Sequence, residues 1–305
     1  MADIAIIGAG YVGLTTGTCL AHLGHNVTIA DIDEIKVQEL NEGEVPIFEP
    51  GLSELLTEGI ENGNLKFVVG ASSASRNAAF HFLCLPTPPN PDGSTNMEYF
   101  SSAIEEIKDI LPPNSVIVNK STLPVGTASQ LKKQIQRTDV EIVSNPEFLS
   151  EGNAVQDFLH PSRIVIGAES QEAATRVAAL FSDIDATIQI TGTESAELIK
   201  HTANAFLAMK LTFINEIATL CELVGANVLD VAEGIGYDPR IGSTYLRPGP
   251  GWGGSCFPKD SASLLQTANK AGFDFELLEK AITLNTIHLQ RTAQKVIDAL
   301  PEGKA

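Results

Sequence analysis

The chain has 305 residues, 43% of them hydrophobic, which is enough for a large core and for two domains. Its formal charge of −18, with no basic patch to relieve it, argues against nucleic acid or an anionic membrane surface as partner, and no apolar run approaches the length of a membrane span. The four cysteines, Cys19, Cys84, Cys221 and Cys256, are widely separated and form no metal-type pair, which predicts reduced thiols in a cytoplasm rather than a disulfide scaffold.

The opening run Asp3-Ile4-Ala5-Ile6-Ile7 reads as a first strand and not as a signal peptide. Further strands are predicted over 26–31, 66–69, 80–85, 115–119, 141–144 and 164–166, and most gaps between them carry helical periodicity. That alternation is the pattern of a doubly wound, mainly parallel sheet. A Pro/Gly-rich loop over 86–93, beginning Pro86-Thr87, follows the fourth strand and so borders the strand ends where such sheets hold ligands. From about Glu194 the texture changes to long helices: 194–224 runs without a proline, and 275–300 reads as a last helix. The first of these carries surplus apolar surface, which fits either a dimer interface or a buried core helix.

A dinucleotide fingerprint, Gly8-Ala9-Gly10-Tyr11-Val12-Gly13, stands between the first strand and a helix. Its glycines allow a tight turn and close approach of a pyrophosphate, and the helix N-terminus adds N–H donors and a partial positive charge. Asp31 follows Gly13 by 18 residues at the end of the second strand, where a carboxylate accepts from the adenosine ribose and repels a 2′-phosphate. NAD is therefore expected over NADP, although Lys36 is near enough to assist an anion. The expected fold class is α/β, with an N-terminal doubly wound Rossmann-like domain over 1–193 followed by an all-helical central, dimerising domain over 194–305.

Cys256 sits in Gly253-Gly254-Ser255-Cys256-Phe257-Pro258-Lys259-Asp260. Pro258 fits the first position of a helix, which places the thiol at the positive helix end beside Lys259, a setting that favours thiolate over a merely packed cysteine. Cys19, Cys84 and Cys221 fall in apolar patterns and are expected to pack. Lys200 and Asn204 are four apart on the long predicted helix and share a face, so a cation and an amide there can stabilise an oxyanion; a solvated face is the plainer reading. Glu147 and Glu151 follow a strand end, where a carboxylate can act as base or order a water, and Thr122, after the fifth strand, can hydrogen-bond that water.

Together these segments, with 49–52, 121–124, 145–152, 200–204, 237–242 and 248–256, resemble the UDP-glucose/GDP-mannose dehydrogenase family along essentially the whole chain. The resemblance implies a four-electron oxidation of a nucleotide sugar C6 alcohol to a carboxylate with NAD, UDP-glucose foremost, and Cys256 as nucleophile. It further implies oxyanion stabilisation by Lys200 and Asn204, support of the water and of Lys200 by Asp260, proton movement or water placement by Glu151 and Thr122, and shaping of the site by Glu147. Cofactor contacts would include Gly8, Gly10, Tyr11, Val12, Gly13, Asp31, Lys36, Pro86, Thr87, Ser121, Thr122, Glu151 and Lys259. Substrate contacts would include Phe148, Leu149, Glu151, Lys200, Asn204, Tyr245, Gly253 and, across a homodimer, Arg240. Family members carry a further nucleotide-binding α/β domain, and since no second sheet pattern follows Phe275 the chain is expected to be a fragment whose turnover is in question. A β-hydroxyacid dehydrogenase, which makes one hydride transfer, and a non-catalytic NAD-binding dimerisation module are the alternatives.

Overall fold

The computed structural model describes residues 1–91 and 93–300; Asp92 of the expected 86–93 loop and positions 301–305 of the expected helical domain lie outside the described residues. Two compact units are present, 1–90 with 95–200 and 91–94 with 201 onward.

The first unit alternates strand and helix: β1 (Asp3–Ile7), α1 (Tyr11–His22), β2 (Asn26–Asp31), α2 (Glu34–Asn41), α3 (Leu52–Glu61), β3 (Leu65–Val69), α4 (Ala71–Ser75), β4 (Phe80–Leu83), α5 (Glu98–Ile107), β5 (Val116–Asn119), α6 (Thr127–Ile135), β6 (Glu141–Ser144), α7 (Ala154–Leu159), β7 (Arg163–Ala168), α8 (Gln171–Ala178) and β8 (Thr187–Thr191). Among the described residues the strands form one sheet in the order β3-β2-β1-β4-β5-β6-β7-β8. All neighbours pair in parallel except β6 and β7.

Strand geometry sends alternate side chains to opposite faces. Ile4 and Ile6 of β1 and Val27 and Ile29 of β2 join Leu14, Leu20, Leu52 and Leu56 of α1 and α3 in one cluster. Ile7, Leu83, Ile117 and Ile142 join Ile104, Ile107 and Leu131 of α5 and α6 in another. Each such fully buried aliphatic stabilises the fold by roughly 1.5–3 kcal/mol, so the two faces together fix the sheet.

Two departures from the sequence reading have clear causes. β8 escaped the strand reading because its Thr-Ile-Gln-Ile-Thr run lies at the sheet edge and is largely exposed, so it offers no buried apolar signal. β4 stops at Leu83 rather than 85 because Leu85 N donates to Ser121 Oγ at 2.8 Å instead of to a neighbouring strand.

The sheet order reverses around β1, whose neighbours are β2 on one side and β4 on the other. In doubly wound sheets this switch opens a crevice at the carboxyl ends of the strands. Gly8, Pro86, Ser121 and Asn145 all follow the carboxyl ends of adjacent parallel strands.

α9 (Thr193–Val224) is a single 32-residue helix, begun one residue before the expected start, and the unit boundary falls within it after Lys200. The second unit continues with α10 (Val228–Gly236), α11 (Phe257–Lys270) and α12 (Glu276–Ala299). Ala205, Leu264 and Leu278 form one small core and Ile214, Ala232 and Leu246 another. Among the described residues no helix is long and apolar enough to cross a membrane.

Candidate active site

The glycine turn is forced by close packing. Gly8 has φ +103, and a Cβ on Gly13 would lie 1.8 Å from the Gly8 carbonyl oxygen, so neither position tolerates a side chain. A Cβ on Gly10 would meet nothing within 4 Å, which leaves open space over the start of α1. Tyr11, Val12 and Gly13 form the first turn of α1, whose N–H groups have no intrahelical acceptor and are available to a pyrophosphate.

Asp31 is tied into the same turn. Its Oδ2 accepts from Ala9 N at 2.9 Å and Lys36 Nζ at 3.2 Å, and its Oδ1 accepts from Asp33 N at 3.1 Å. Burial opposes ionisation of this carboxyl, but the Asp33 and Ala9 N–H donors and the Lys36 ammonium outweigh it and hold the pKa below the usual value. A carboxylate offers about four acceptor positions, so one remains for a ribose hydroxyl. An open cradle, donor N–H groups and a fixed anion fit NAD. Ser121 joins two strand ends by donating to the Leu83 and Leu85 carbonyls at 3.1 and 2.9 Å, while Thr87 is buried and Pro86 exposed.

Glu49 was not read as a site residue, yet it organises one side of this region. Its buried carboxylate accepts from Tyr11 Oη at 2.7 Å, Gly152 N at 2.9 Å and Ala154 N at 2.6 Å, holding the cofactor turn to the loop that carries Glu151. Tyr11 Oη also reaches the Ser150 carbonyl at 3.0 Å. Burial first and the Glu49 hydrogen bond second push the Tyr11 phenol well above its ordinary range, with Glu151 adding to the effect. Glu151 itself is exposed.

Glu147 behaves differently. Its Oε1 forms an ion pair with Lys200 Nζ at 2.8 Å, with side chains only 8% and 4% exposed, and its Oε2 accepts from Leu149 N at 2.7 Å. Breaking one partner of such a buried pair strands the other charge, at a cost of about 3–5 kcal/mol. Phe148 lies between two cations, Arg163 at 3.8 Å and Lys200 at 5.6 Å from its ring centre. Leu149 is half-buried beside it. Thr122 and Lys200 line one narrow cleft with Ser121, Ser144 and Glu197. Glu197, one turn before Lys200, accepts from Gly126 N at 2.6 Å, Ala128 N at 3.0 Å and Ser144 Oγ at 3.2 Å, so it caps α6 and fixes the Thr122 loop.

The second unit holds the sulfur. Cys256 is the N-cap of α11 and is half-buried, whereas Cys19, Cys84 and Cys221 are buried. Burial alone pushes the Cys19 thiol up to about 12, which suits packing and not nucleophilic work. α11 begins at Phe257, so Pro258 occupies its second position rather than its first, still before any N–H is needed by the helix. Lys259 pairs with Asp260 at 2.8 Å, and Asp260 is 1% exposed and accepts from Asn204 Nδ2 at 2.5 Å. The amide, carboxylate and cation thus form one chain on α9 and α11.

The loop before Cys256 is pinned by residues the sequence reading passed over. Asn215 Oδ1 accepts from Gly249 N at 2.9 Å, and Asn285 exchanges two bonds with Trp252, at 2.9 and 2.8 Å. Trp252 Nε1 donates to Thr212 Oγ1 at 2.8 Å. Gly251 has φ +130, and a Cβ there would lie 2.9 Å from Asn285 Oδ1. Tyr245 adopts φ 62, uncommon for a non-glycine residue, and its ring lies 6.0 Å from that of Phe257. Gly253 is exposed, and Arg240, with 87% of its side chain exposed, is held by Asp238 at 2.5 Å.

Residues 2–185 match the NAD-binding domain of the UDP-glucose/GDP-mannose dehydrogenase family, and residues 194–287 match its central domain. The chain belongs to this family. As a member it is an NAD-dependent oxidoreductase with NAD as cofactor. It is 45% identical to the UDP-glucose 6-dehydrogenase TuaD of Bacillus subtilis, over all of this chain and 67% of that protein. The UDP-glucose dehydrogenase structure from the archaeon Pyrobaculum islandicum superposes with a TM-score of 0.89 at 34% identity, covering 94% of this chain and 68% of that one. A 3-hydroxyisobutyrate dehydrogenase from Mycobacterium tuberculosis, 18% identical, shares the fold with a TM-score of 0.69 over 96% of this chain and 94% of its own.

Proposed function

We propose that this chain oxidises the C6 alcohol of UDP-glucose to the carboxylate of UDP-glucuronate through a thioester on Cys256. The observation that carries the reading is the placing of a half-buried cysteine as N-cap of α11, the helix whose Asp260 holds Asn204, in a chain 45% identical to a UDP-glucose 6-dehydrogenase. NAD, when bound, supplies the hydride acceptor for both oxidations.

The chain's own groups do the rest. Once the alcohol has lost a hydride and a proton, Cys256 Sγ attacks the aldehyde carbon and holds it as a thiohemiacetal, which prevents its escape. Loss of a second hydride and proton leaves a thioester, and water cleaves the carbon–sulfur bond to release the carboxylate and the thiol. Lys200 and Asn204 donate to the developing oxyanions, and Thr122, Glu151 and Asp260 hold the water. Glu147 fixes Lys200. Gly8, Gly10, Tyr11, Val12, Gly13, Asp31, Lys36, Pro86, Thr87, Ser121 and Lys259 form the cofactor contacts; Phe148, Leu149, Tyr245 and Gly253 contact the nucleotide sugar.

Phe206, Phe213 and Leu220 of α9, seven residues apart, are 57%, 55% and 51% exposed, an apolar stripe that suits a second copy of this chain. A homodimer would bring Arg240 to the partner's substrate. The unbridged thiols fit a cytoplasm.

Counting NADH formed per UDP-glucose by ultraviolet absorbance tests the chemistry. Two NADH per sugar are expected. One per sugar points to a single hydride transfer and removes the thioester route.

A further inference from the structure

Lys120 immediately follows β5, and none of the steps above uses it. It is 6% exposed; its ammonium donates to Asn145 Oδ1 at 3.0 Å and lies 5.7 and 5.9 Å from the ring centres of Phe158 and Phe181, which are 6.1 Å apart, so it sits against one side of the ring pair. Asn145 is itself locked, since its Nδ2 donates to the Val165 carbonyl at 2.8 Å. Two residues further on stands Glu147, which is paired with Lys200 at 2.8 Å.

A buried cation is costly, and an apolar residue would fill the same volume against the two rings without that cost. A slot built for charge implies that the charge is used. Its nearest use is electrostatic, because Glu147, the ion-pair partner of Lys200, lines the same cleft as Lys120. The remaining titratable neighbours are Cys84, whose buried thiol is pushed up to about 12 and stays neutral, and Asp157 and Arg163 on the walls of the same cleft.

We propose that Lys120 is a positioning residue of the candidate catalytic site, a second buried cation in the cleft that Glu147 lines, acting through space on the Glu147–Lys200 pair. While Lys120 is charged, a second ammonium group stands near the Glu147–Lys200 pair and the trio carries one net positive charge. When Lys120 loses its proton, the whole Glu147 charge compensates Lys200, and the site offers a developing oxyanion less positive potential. The catalytic consequence rests on the reading of Lys200 as an oxyanion donor; the coupling of the two lysines does not.

Burial above all lowers the Lys120 pKa to about 8, so the change falls in an accessible range. The test is NMR of protein carrying carbon-13 lysine, titrated from about pH 6 to about pH 10, with the two signals assigned by their loss in Lys120→Met and Lys200→Met. In the unaltered protein the Lys200 signal should bend at the pH where Lys120 titrates, and both Lys120→Met and Lys120→Arg should remove the bend. In the NADH assay Lys120→Met should lower kcat about tenfold, with KM for NAD changed less than about twofold, while Lys120→Arg keeps most of the rate. A Lys200 signal indifferent to the Lys120 titration overturns the inference, and so does unchanged kcat in a folded Lys120→Met enzyme. Absence of NADH from the unaltered protein overturns the proposed reaction instead, and the NMR titration, which needs no turnover, still decides Lys120.

Discussion

The roles proposed for Cys256 and Asp31 each rest on the setting of one side chain. A serine at 256 keeps the N-cap geometry but attacks an aldehyde poorly and forms an ester that water cleaves slowly. Cys256→Ser is therefore expected to lose steady-state NADH production by at least about a thousandfold while NAD binding, followed by fluorescence titration, stays within about twofold. Wild-type turnover in that variant would end the thioester reading. Asp31→Asn removes the charge proposed to select against a 2′-phosphate, so the preference for NAD over NADP should fall by roughly tenfold or more, about 1.4 kcal/mol of discrimination; an unchanged ratio of dissociation constants contradicts the assignment. Lys120 gives a pH signature of its own. Its folded pKa, about 8, lies below the ordinary lysine value, so above that pH the unfolded chain binds more protons than the native one. Stability should thus rise from about pH 8 towards about pH 10 in urea titrations, and Lys120→Met should flatten that rise.

At the level of elements, α9 and α11 do most of the arranging. α9 carries Glu197 and Lys200 in the first unit, three residues apart on one face, and Asn204 in the second. Glu197 satisfies two N–H groups at the start of α6, and burial raises its pKa despite those donors. Glu197→Ala leaves both donors buried without partners, a loss of roughly 2–4 kcal/mol that equilibrium unfolding in urea would measure. A loss below about 0.5 kcal/mol would mean that the Thr122 loop is held by something else. The helical periodicity of α9 and α12 and the short apolar runs of β1, β2 and β6 were legible because these segments are long or are buried nearly throughout. β8 was not, because an exposed edge strand can be built from residues that suit a loop equally well. Asn215 and Asn285 were also passed over, and Glu49, though within the 49–52 run, was given no site role, since a single polar residue carries no periodic signal and its importance lies in donors distant in sequence.

At the level of the whole molecule, the exposed stripe of Phe206, Phe213 and Leu220 makes self-association the expectation. Sedimentation velocity should find a dimer, and Phe213→Glu should shift it towards monomer by placing a charge in the stripe. A monomeric unaltered chain at micromolar concentration would remove the dimer and with it the role given to Arg240.

Sequence alone determined the α/β class, the dinucleotide turn, the acid at the end of β2 and the unusual cysteine, because each depends on local stereochemistry: glycines where a backbone must turn, short apolar runs where a strand is buried, a proline where a helix begins. Only the tertiary structure decided that Glu147 rather than Glu151 is the buried partner of Lys200, that Asp260 binds Asn204, and that Lys120 lies buried against two rings. Those outcomes follow from which carboxylates and cations are taken out of water together, and desolvation is a property of the packed interior that no stretch of chain holds by itself.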